Sequence, residues 1–161
     1  MTEQQLMLGQ PAPTFTLMAG NGEPVSLQDY VGRNVVIYFY PKNMTPACTE
    51  EACQFRDYHG EFADKGTVVL GISPDPVRSH ERFAGKYELP FTLLSDPEYE
   101  AAKAYGVWAL KKLYGREYMG IVRSTFLIDR QGRLVREWRN IRVKGHVEQV
   151  LEAVRELESA E

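Results

Sequence analysis

Four short stretches are apolar at almost every position: NVVIYFY (34 to 40), TVVLGIS (67 to 73), FTLL (91 to 94) and STFLID (124 to 129). A strand with one wet face alternates, whereas a strand covered on both faces reads as a continuous apolar run. These four therefore predict central strands with other layers on both sides. The segments between them carry helical spacing: residues 46 to 64, 76 to 88 and 97 to 105 read as helices, and Val147, Val150, Leu151, Val154 and Leu157 mark a last amphipathic helix. Strands alternating with helices give an α/β fold built on a central mixed sheet flanked by helices. LVREWRN (134 to 140) follows the turn DRQG and alternates Leu134, Arg136 and Trp138 with Val135, Glu137 and Arg139. It reads as an antiparallel hairpin partner of the preceding strand, wet on one face. Residues 108 to 122, WALKKLYGREYMGIV, show no clean period and read as a loop, and the polar terminal ESAE is expected to fray. With 161 residues, 43% of them hydrophobic, and no repeat, linker or low-complexity tract, the chain suits one domain spanning 1–161.

Charge and motif content narrow the function. Lys and Arg total 19 against 22 Asp and Glu, and no basic run exceeds two residues, so nucleic acid is not an expected partner. A small neutral or anionic partner is more natural. The start, MTEQQLMLGQPAPTF, lacks a basic segment followed by an apolar one, and no run is long and apolar enough to span a membrane, so a cytoplasmic protein without membrane contact is expected. No G-x-G-x-x-G follows a strand and no G-x-x-x-x-G-K-[ST] occurs; the glycines read as turn formers, and no cofactor is expected. Only two cysteines are present, Cys48 and Cys53, too few for a stabilising framework. Redox chemistry, metal binding and plain burial remain as explanations.

Both lie in YPKNMTPACTEEACQF, residues 40 to 55. Thr45 is a good N-cap residue, Pro46 suits the first helical position, and Phe55, His59 and Phe62 recur at helical spacing behind them. Cys48 therefore falls in the first turn, where unpaired N–H groups and the positive end of the helix dipole favour an anion and make a thiol easier to ionise. The Thr45 hydroxyl is within reach of it. The plainer alternative is a small buried hydrophobe at a helix start, and for Cys53 a small interior residue. Residues five apart on a regular helix are rotated by about 140° and have Cα atoms about 8.7 Å apart, beyond the limit of about 7 Å for a disulfide. A permanent bridge is a poor reading, and a transient one requires the start of the helix to unwind. Cys48, Cys53 and His59 form only a loose ligand set, with His80 and His146 far off in sequence, so a zinc site has little support. Histidines so isolated are expected at the surface or at caps, and Tyr38, Tyr40, Trp108 and Trp138 in core and loop packing.

The strand end and helix start, VVIYFYPKNMTPACTEEAC, resemble the peroxiredoxin active-site pattern P-x-x-x-T-x-x-C, with Pro41, Thr45 and Cys48 in the matching places. The second cysteine, together with YGVW, YGREYMGIVRSTFLID and DRQGRLV, is similar to the bacterioferritin-comigratory or Q-type subfamily, and the resemblance runs from LGQPAPTFTL to the last helix. It implies a thioredoxin-like fold, reduction of hydroperoxides, and electrons from thioredoxin or a similar dithiol. It also implies that Cys48 is the peroxidatic cysteine, Cys53 the resolving one, Arg123 the active-site arginine, and Glu51 the acidic residue three positions after the peroxidatic cysteine. Ala47 departs from the glycine usual in this subfamily, which is expected to stiffen the first turn. The chemistry such a site needs agrees with these assignments. A thiolate attacks one peroxide oxygen while the other leaves, so donors are required around both. Arg123 offers a permanent fork of donors, although most arginines sit in surface ion pairs. Pro41, with fixed φ and no N–H, would shape the loop over Cys48. Two other classes stay open: a thiol-disulfide oxidoreductase, for which C-x-x-C would be the expected spacing, and a redox-controlled binding module whose unwound helix exposes Phe55 and Phe62. An intramolecular resolving cysteine removes the need for a dimer, so a monomer is expected.

Overall fold

The computed structural model describes residues 6–160. The first residues of the amino-terminal segment and the last residue of ESAE lie outside the described residues. In chain order the elements are β1 (Thr16–Ala19), β2 (Pro24–Ser26), a 3-10 turn (Leu27–Tyr30), β3 (Asn34–Phe39), α1 (Pro46–Asp57), α2 (His59–Asp64) and β4 (Thr67–Ser73). Then come α3 (Val77–Tyr87), β5 (Thr92–Ser95), α4 (Glu100–Ala104), β6 (Trp108–Leu113), β7 (Arg116–Ile121), β8 (Ser124–Ile128), β9 (Leu134–Trp138) and α5 (His146–Ala160). Seven strands form one sheet in the order β2-β1-β5-β4-β3-β8-β9. Its centre, β5-β4-β3, is parallel, and β8 joins β3 antiparallel, so the sheet is mixed as expected.

The continuous apolar runs are explained by cover on both faces. On one side Val36, Tyr38, Val69, Leu93 and Leu127 pack against Phe55 of α1, Phe62 of α2, Phe83 of α3 and Val147, Val150, Leu151 and Val154 of α5. On the other, Val35, Ile37, Phe39, Leu70, Ile72 and Phe126 pack against Ala101 and Ala102 of α4 and against Ala12, Phe15 and Leu27 from the amino-terminal segment. Gly71 sits where β4 crosses Tyr38, and a Cβ there would come within 2.8 Å of the Tyr38 ring and of Leu93. Tyr38 in turn stacks on Phe55 at 4.6 Å, which seats α1 on the sheet.

Several expectations need correction. Residues 108 to 122 are not a loop: β6 and β7 form an antiparallel hairpin of their own, separate from the main sheet. Its two-residue turn, Tyr114 and Gly115, has φ of 52° and 76°, as tight hairpin turns require. Both of its faces are largely wet, so no strict alternation was imprinted on the sequence. The helix read over 46 to 64 breaks at Tyr58 into α1 and α2. The end of α5 does not fray among the described residues, because Glu158 is gripped by Arg130 at 2.8 Å and by the Asn34 amide. Strands β1 and β2 were not signalled by any long apolar run. No helix among the described residues is long and apolar enough to cross a membrane.

Candidate active site

Parallel strands point their carboxyl ends the same way, and ligand sites in open α/β sheets form in the crevice just beyond them. Here β3 ends at Phe39, and the loop from Tyr40 to Thr45 leads into α1. Because β8 runs antiparallel with Ser124 opposite Phe39, the residue before it, Arg123, arrives beside the start of α1. Two segments 75 residues apart in sequence thus meet at one point: the Arg123 guanidinium donates from Nη2 to Cys48 Sγ at 3.2 Å and from Nη1 to Glu51 Oε1 at 2.7 Å. Cys48 and Glu51 face the same way because they lie three apart on α1. Both are fully enclosed, at 1% and 0% exposure.

The electrostatics of this trio follow from burial. Loss of hydration raises the Glu51 pKa, the Arg123 charge pulls it back, and the balance leaves it at about 7 instead of 4.5. Its second oxygen, Oε2, has no hydrogen-bond partner among the described residues, which is the local reason the charged form is disfavoured. Burial also works against the Arg123 cation, but the Glu51 carboxylate and the Cys48 sulfur outweigh it, so the guanidinium stays charged. Behind Arg123, His146 shares a 2.7 Å hydrogen bond with Thr125. Burial, then the Arg123 charge, pushes its pKa down to about 4, so it is neutral at ordinary pH. Tyr38 lies beneath the trio with its hydroxyl unpartnered among the described residues, and burial first, then Tyr40, Glu51 and Cys48, raises its pKa well above 10.

A buried polar network fixes the loop before α1. Tyr40 donates its hydroxyl to Asn43 Oδ1 at 2.6 Å, and the Asn43 backbone N–H donates to Asp75 at 2.8 Å. The Asn43 amide donates to Ser79 Oγ and to His80 Nδ1, each at 3.1 Å. Ser73 donates to Asp75 at 2.6 Å and so accepts from His80 Nε2 at 3.4 Å, the tautomer that a buried neutral histidine can supply. Burial lowers the His80 pKa accordingly, with Asp75 opposing it. These contacts tie the loop to the ends of β4 and α3, so the position of Cys48 is set by the sheet as well as by its own helix. Met44, at φ 68°, makes the sharp turn into the helix.

Of the residues singled out from the sequence, Cys48, Glu51 and Arg123 are brought into contact. Thr45 occupies the N-cap position with extended backbone, but its hydroxyl donates to the Lys42 carbonyl at 2.8 Å and makes no cap bond. Pro41 is half-buried in the loop, and Cys53 is half-buried on α1. Both thiols are free. The histidines depart from expectation, since His80 and His146 are enclosed in the interior instead of lying at the surface. Sequence reasoning passed over Asn43, Ser73, Asp75 and Thr125. Asn43 stood inside the motif and was the one with a readable signal, a polar turn residue between a buried strand and a cysteine.

A model of the AhpC/TSA family matches residues 8–137. The chain is 52% identical over 150 residues to peroxiredoxin Bcp of Bacillus subtilis (strain 168), covering 93% of this chain and 96% of that one. It is 42% identical over 151 residues to peroxiredoxin Bcp of Escherichia coli (strain K12), covering 94% and 97%. Among solved structures it is similar to the Xanthomonas campestris bacterioferritin comigratory protein, described for its alkyl peroxide reduction activity. That likeness has a TM-score of 0.89 at 37% identity, over 96% of this chain and 99% of the other.

Proposed function

The chain belongs to the AhpC/TSA family and is a thiol peroxidase with a thioredoxin-like fold, and from that premise we propose that Cys48 is its peroxidatic cysteine and Cys53 its resolving one. The observation that carries the assignment is the guanidinium of Arg123, one arm on the Cys48 sulfur and the other on Glu51. A cation whose plane is fixed by a second contact is aimed before substrate arrives, so no reorganisation is needed as charge moves from sulfur to oxygen. The Cys48 thiolate attacks one oxygen of a hydroperoxide; the S–O bond forms, the O–O bond breaks, and the leaving alkoxide or hydroxide takes a proton. Arg123 faces the charge on both sides of that transfer. Glu51 acts through Arg123, as a positioning residue. Pro41 and Thr45 shape the loop and the helix start, Thr45 through its backbone position and its bond to Lys42.

Cys48 is then a sulfenic acid. The Cys53 thiolate attacks that sulfur, hydroxide leaves, and an intramolecular disulfide results. On a regular α1 the two side chains diverge by about 140°, so this step requires the first turns of α1 to open. A dithiol of the thioredoxin type restores both thiols, and with resolution inside one chain the protein acts as a cytoplasmic monomer on hydrogen peroxide and organic hydroperoxides.

The test is turnover and mass spectrometry on the two serine variants. Cys48→Ser abolishes peroxide reduction. Cys53→Ser completes one turnover and holds a sulfenic acid that a dimedone-type reagent traps, but does not form the internal disulfide. Equal loss of the first turnover in both variants would refute the division of roles.

A further inference from the structure

Asn43 lies just before the start of α1, in a sharp loop that the helix itself does not hold. Its neighbour Met44 has φ of 68°, a left-handed backbone that a bulky residue keeps only where its surroundings enforce it. The bond from the Thr49 N–H to the Thr45 carbonyl, at 2.9 Å, begins beyond that turn, and the Thr45 side chain makes no cap bond. What enforces the turn is on its other side, at Asn43, whose side chain is enclosed and whose backbone N–H is held by Asp75 at 2.8 Å.

The direction of the hydrogen bonds around the Asn43 amide follows from one histidine. His80 is fully enclosed, and its ring faces the backbone carbonyls of Ser73 and Leu94, which can only accept. Its Nε2 lies 3.4 Å from the Ser73 hydroxyl, whose proton goes to Asp75 at 2.6 Å. Nε2 therefore carries the ring proton and Nδ1 a lone pair. The Asn43 amide nitrogen donates one proton to that lone pair at 3.1 Å and the other to Ser79 Oγ, also at 3.1 Å. Oδ1 is thereby turned to Tyr40, whose hydroxyl donates to it at 2.6 Å. Tyr40 stacks on Tyr38 at 5.3 Å, and Tyr38 on Phe55 of α1 at 4.6 Å, so the same network reaches the helix from beneath. The charged group facing His80 is the Asp75 carboxylate, and the other titratable one is the Tyr40 hydroxyl. From the end of β1 only the backbone of Gly20 packs against the His80 Cβ.

We propose that His80 is a positioning residue of the peroxidase, whose unprotonated Nδ1 fixes the Asn43 amide and, through it, the Met44 turn and the start of α1 that carries Cys48. The inference rests on the assignment of Cys48 made above. A proton on Nδ1 would set N–H against N–H, so the amide would have to turn over, present its nitrogen to Tyr40 and give up Ser79. The turn would then lose the contact that holds it in a left-handed backbone. Misplacing the reacting group by about 1 Å costs as much as two powers of ten in rate, so a residue remote from the peroxide can govern the reaction through the loop alone.

The experiment compares the wild-type chain with His80→Asn and His80→Phe. Asn places an acceptor oxygen where Nδ1 lies, whereas Phe keeps a ring of similar size and has no acceptor. Two rates are followed at Cys48: oxidation by hydrogen peroxide in stopped flow, and alkylation by neutral iodoacetamide read by peptide mass spectrometry. In His80→Phe the peroxide rate should fall by about tenfold or more while alkylation does not fall, because a loosened turn spoils the aligned transfer but leaves the thiol in place. His80→Asn should keep most of the wild-type peroxide rate. Nitrogen NMR of the wild-type ring at neutral pH should show Nε2 protonated and Nδ1 bare, a readout that needs no variant to fold. An unchanged peroxide rate in His80→Phe, an equal loss in both variants, a parallel fall of alkylation, or a proton on Nδ1 each overturns the proposal. Failure of the wild-type chain to react with hydrogen peroxide would instead remove the Cys48 assignment beneath it.

Discussion

Replacing Glu51 by Gln should change how stability depends on pH by an amount that follows from the site. The Glu51 carboxyl is enclosed, one oxygen on Arg123 and the other unpartnered among the described residues, and its pKa is raised to about 7 from 4.5. Between those two values the folded chain holds a proton that the unfolded chain has released. Stability from this group is therefore fully present below the unfolded value and is lost as pH rises through the folded one. At about 1.4 kcal/mol per pKa unit, the loss amounts to about 3 kcal/mol. Gln keeps the shape and still accepts from Arg123, but it does not titrate. Urea unfolding under reducing conditions, from pH 4.5 to 8, should show Glu51→Gln gaining about 3 kcal/mol relative to wild type across that range. His146 supplies the mirror image: its pKa is lowered to about 4, so its contribution is present above the unfolded value of 6.5 and is lost as pH falls toward the folded one. The two slopes oppose each other in the wild type, and His146→Gln should make the Glu51 slope steeper in the net profile, with His80, whose pKa burial also lowers, still opposing it. A pH profile for Glu51→Gln parallel to that of wild type would refute the reasoning, because it would mean that the carboxyl titrates as it does in the unfolded chain.

Two further outcomes test the reactive machinery. Arg123→Lys keeps the charge but loses the fork that reaches Sγ and Glu51 together, so the rate of Cys48 oxidation by hydrogen peroxide should fall tenfold or more, about 1.4 kcal/mol of barrier; an unchanged rate in stopped flow would reduce Arg123 to a structural ion pair. Formation of a mass-verified Cys48–Cys53 disulfide should speed amide exchange over residues 46 to 56 and lower helical circular dichroism, reversibly with a dithiol; unchanged protection there would mean that the bond forms without opening α1.

How much of this was legible beforehand depended on whether a residue's neighbours in sequence were also its neighbours in space. The apolar runs of β3, β4 and β8 fixed the class of fold because burial on both faces leaves its mark on every position of a strand. Thr45, Pro46 and the recurrence to Phe62 marked the start of α1, since capping and helical period are local properties. Cys48 and Glu51 share a face for the same reason. The hairpin at 108 to 121 was missed because it stands off the main sheet: without a buried face, nothing forces alternation, and only the positive φ at Tyr114 and Gly115 betrays the turn.

What the sequence determined by itself was the α/β order and the helix start under Cys48, and its motif pointed to the residues proposed to react. What only the tertiary structure decided was which charges meet there. Arg123 reaches Cys48 because β8 pairs with β3 in a register that sets Ser124 against Phe39. The Glu51 pKa is raised because the packed interior encloses its carboxyl, with Oε2 unpaired among the described residues. The loop before α1 is held because Asn43, Asp75 and His80, which come from three different segments, converge at the ends of parallel strands. Desolvation and long-range pairing depend on the whole fold, and no local pattern of residues encodes them.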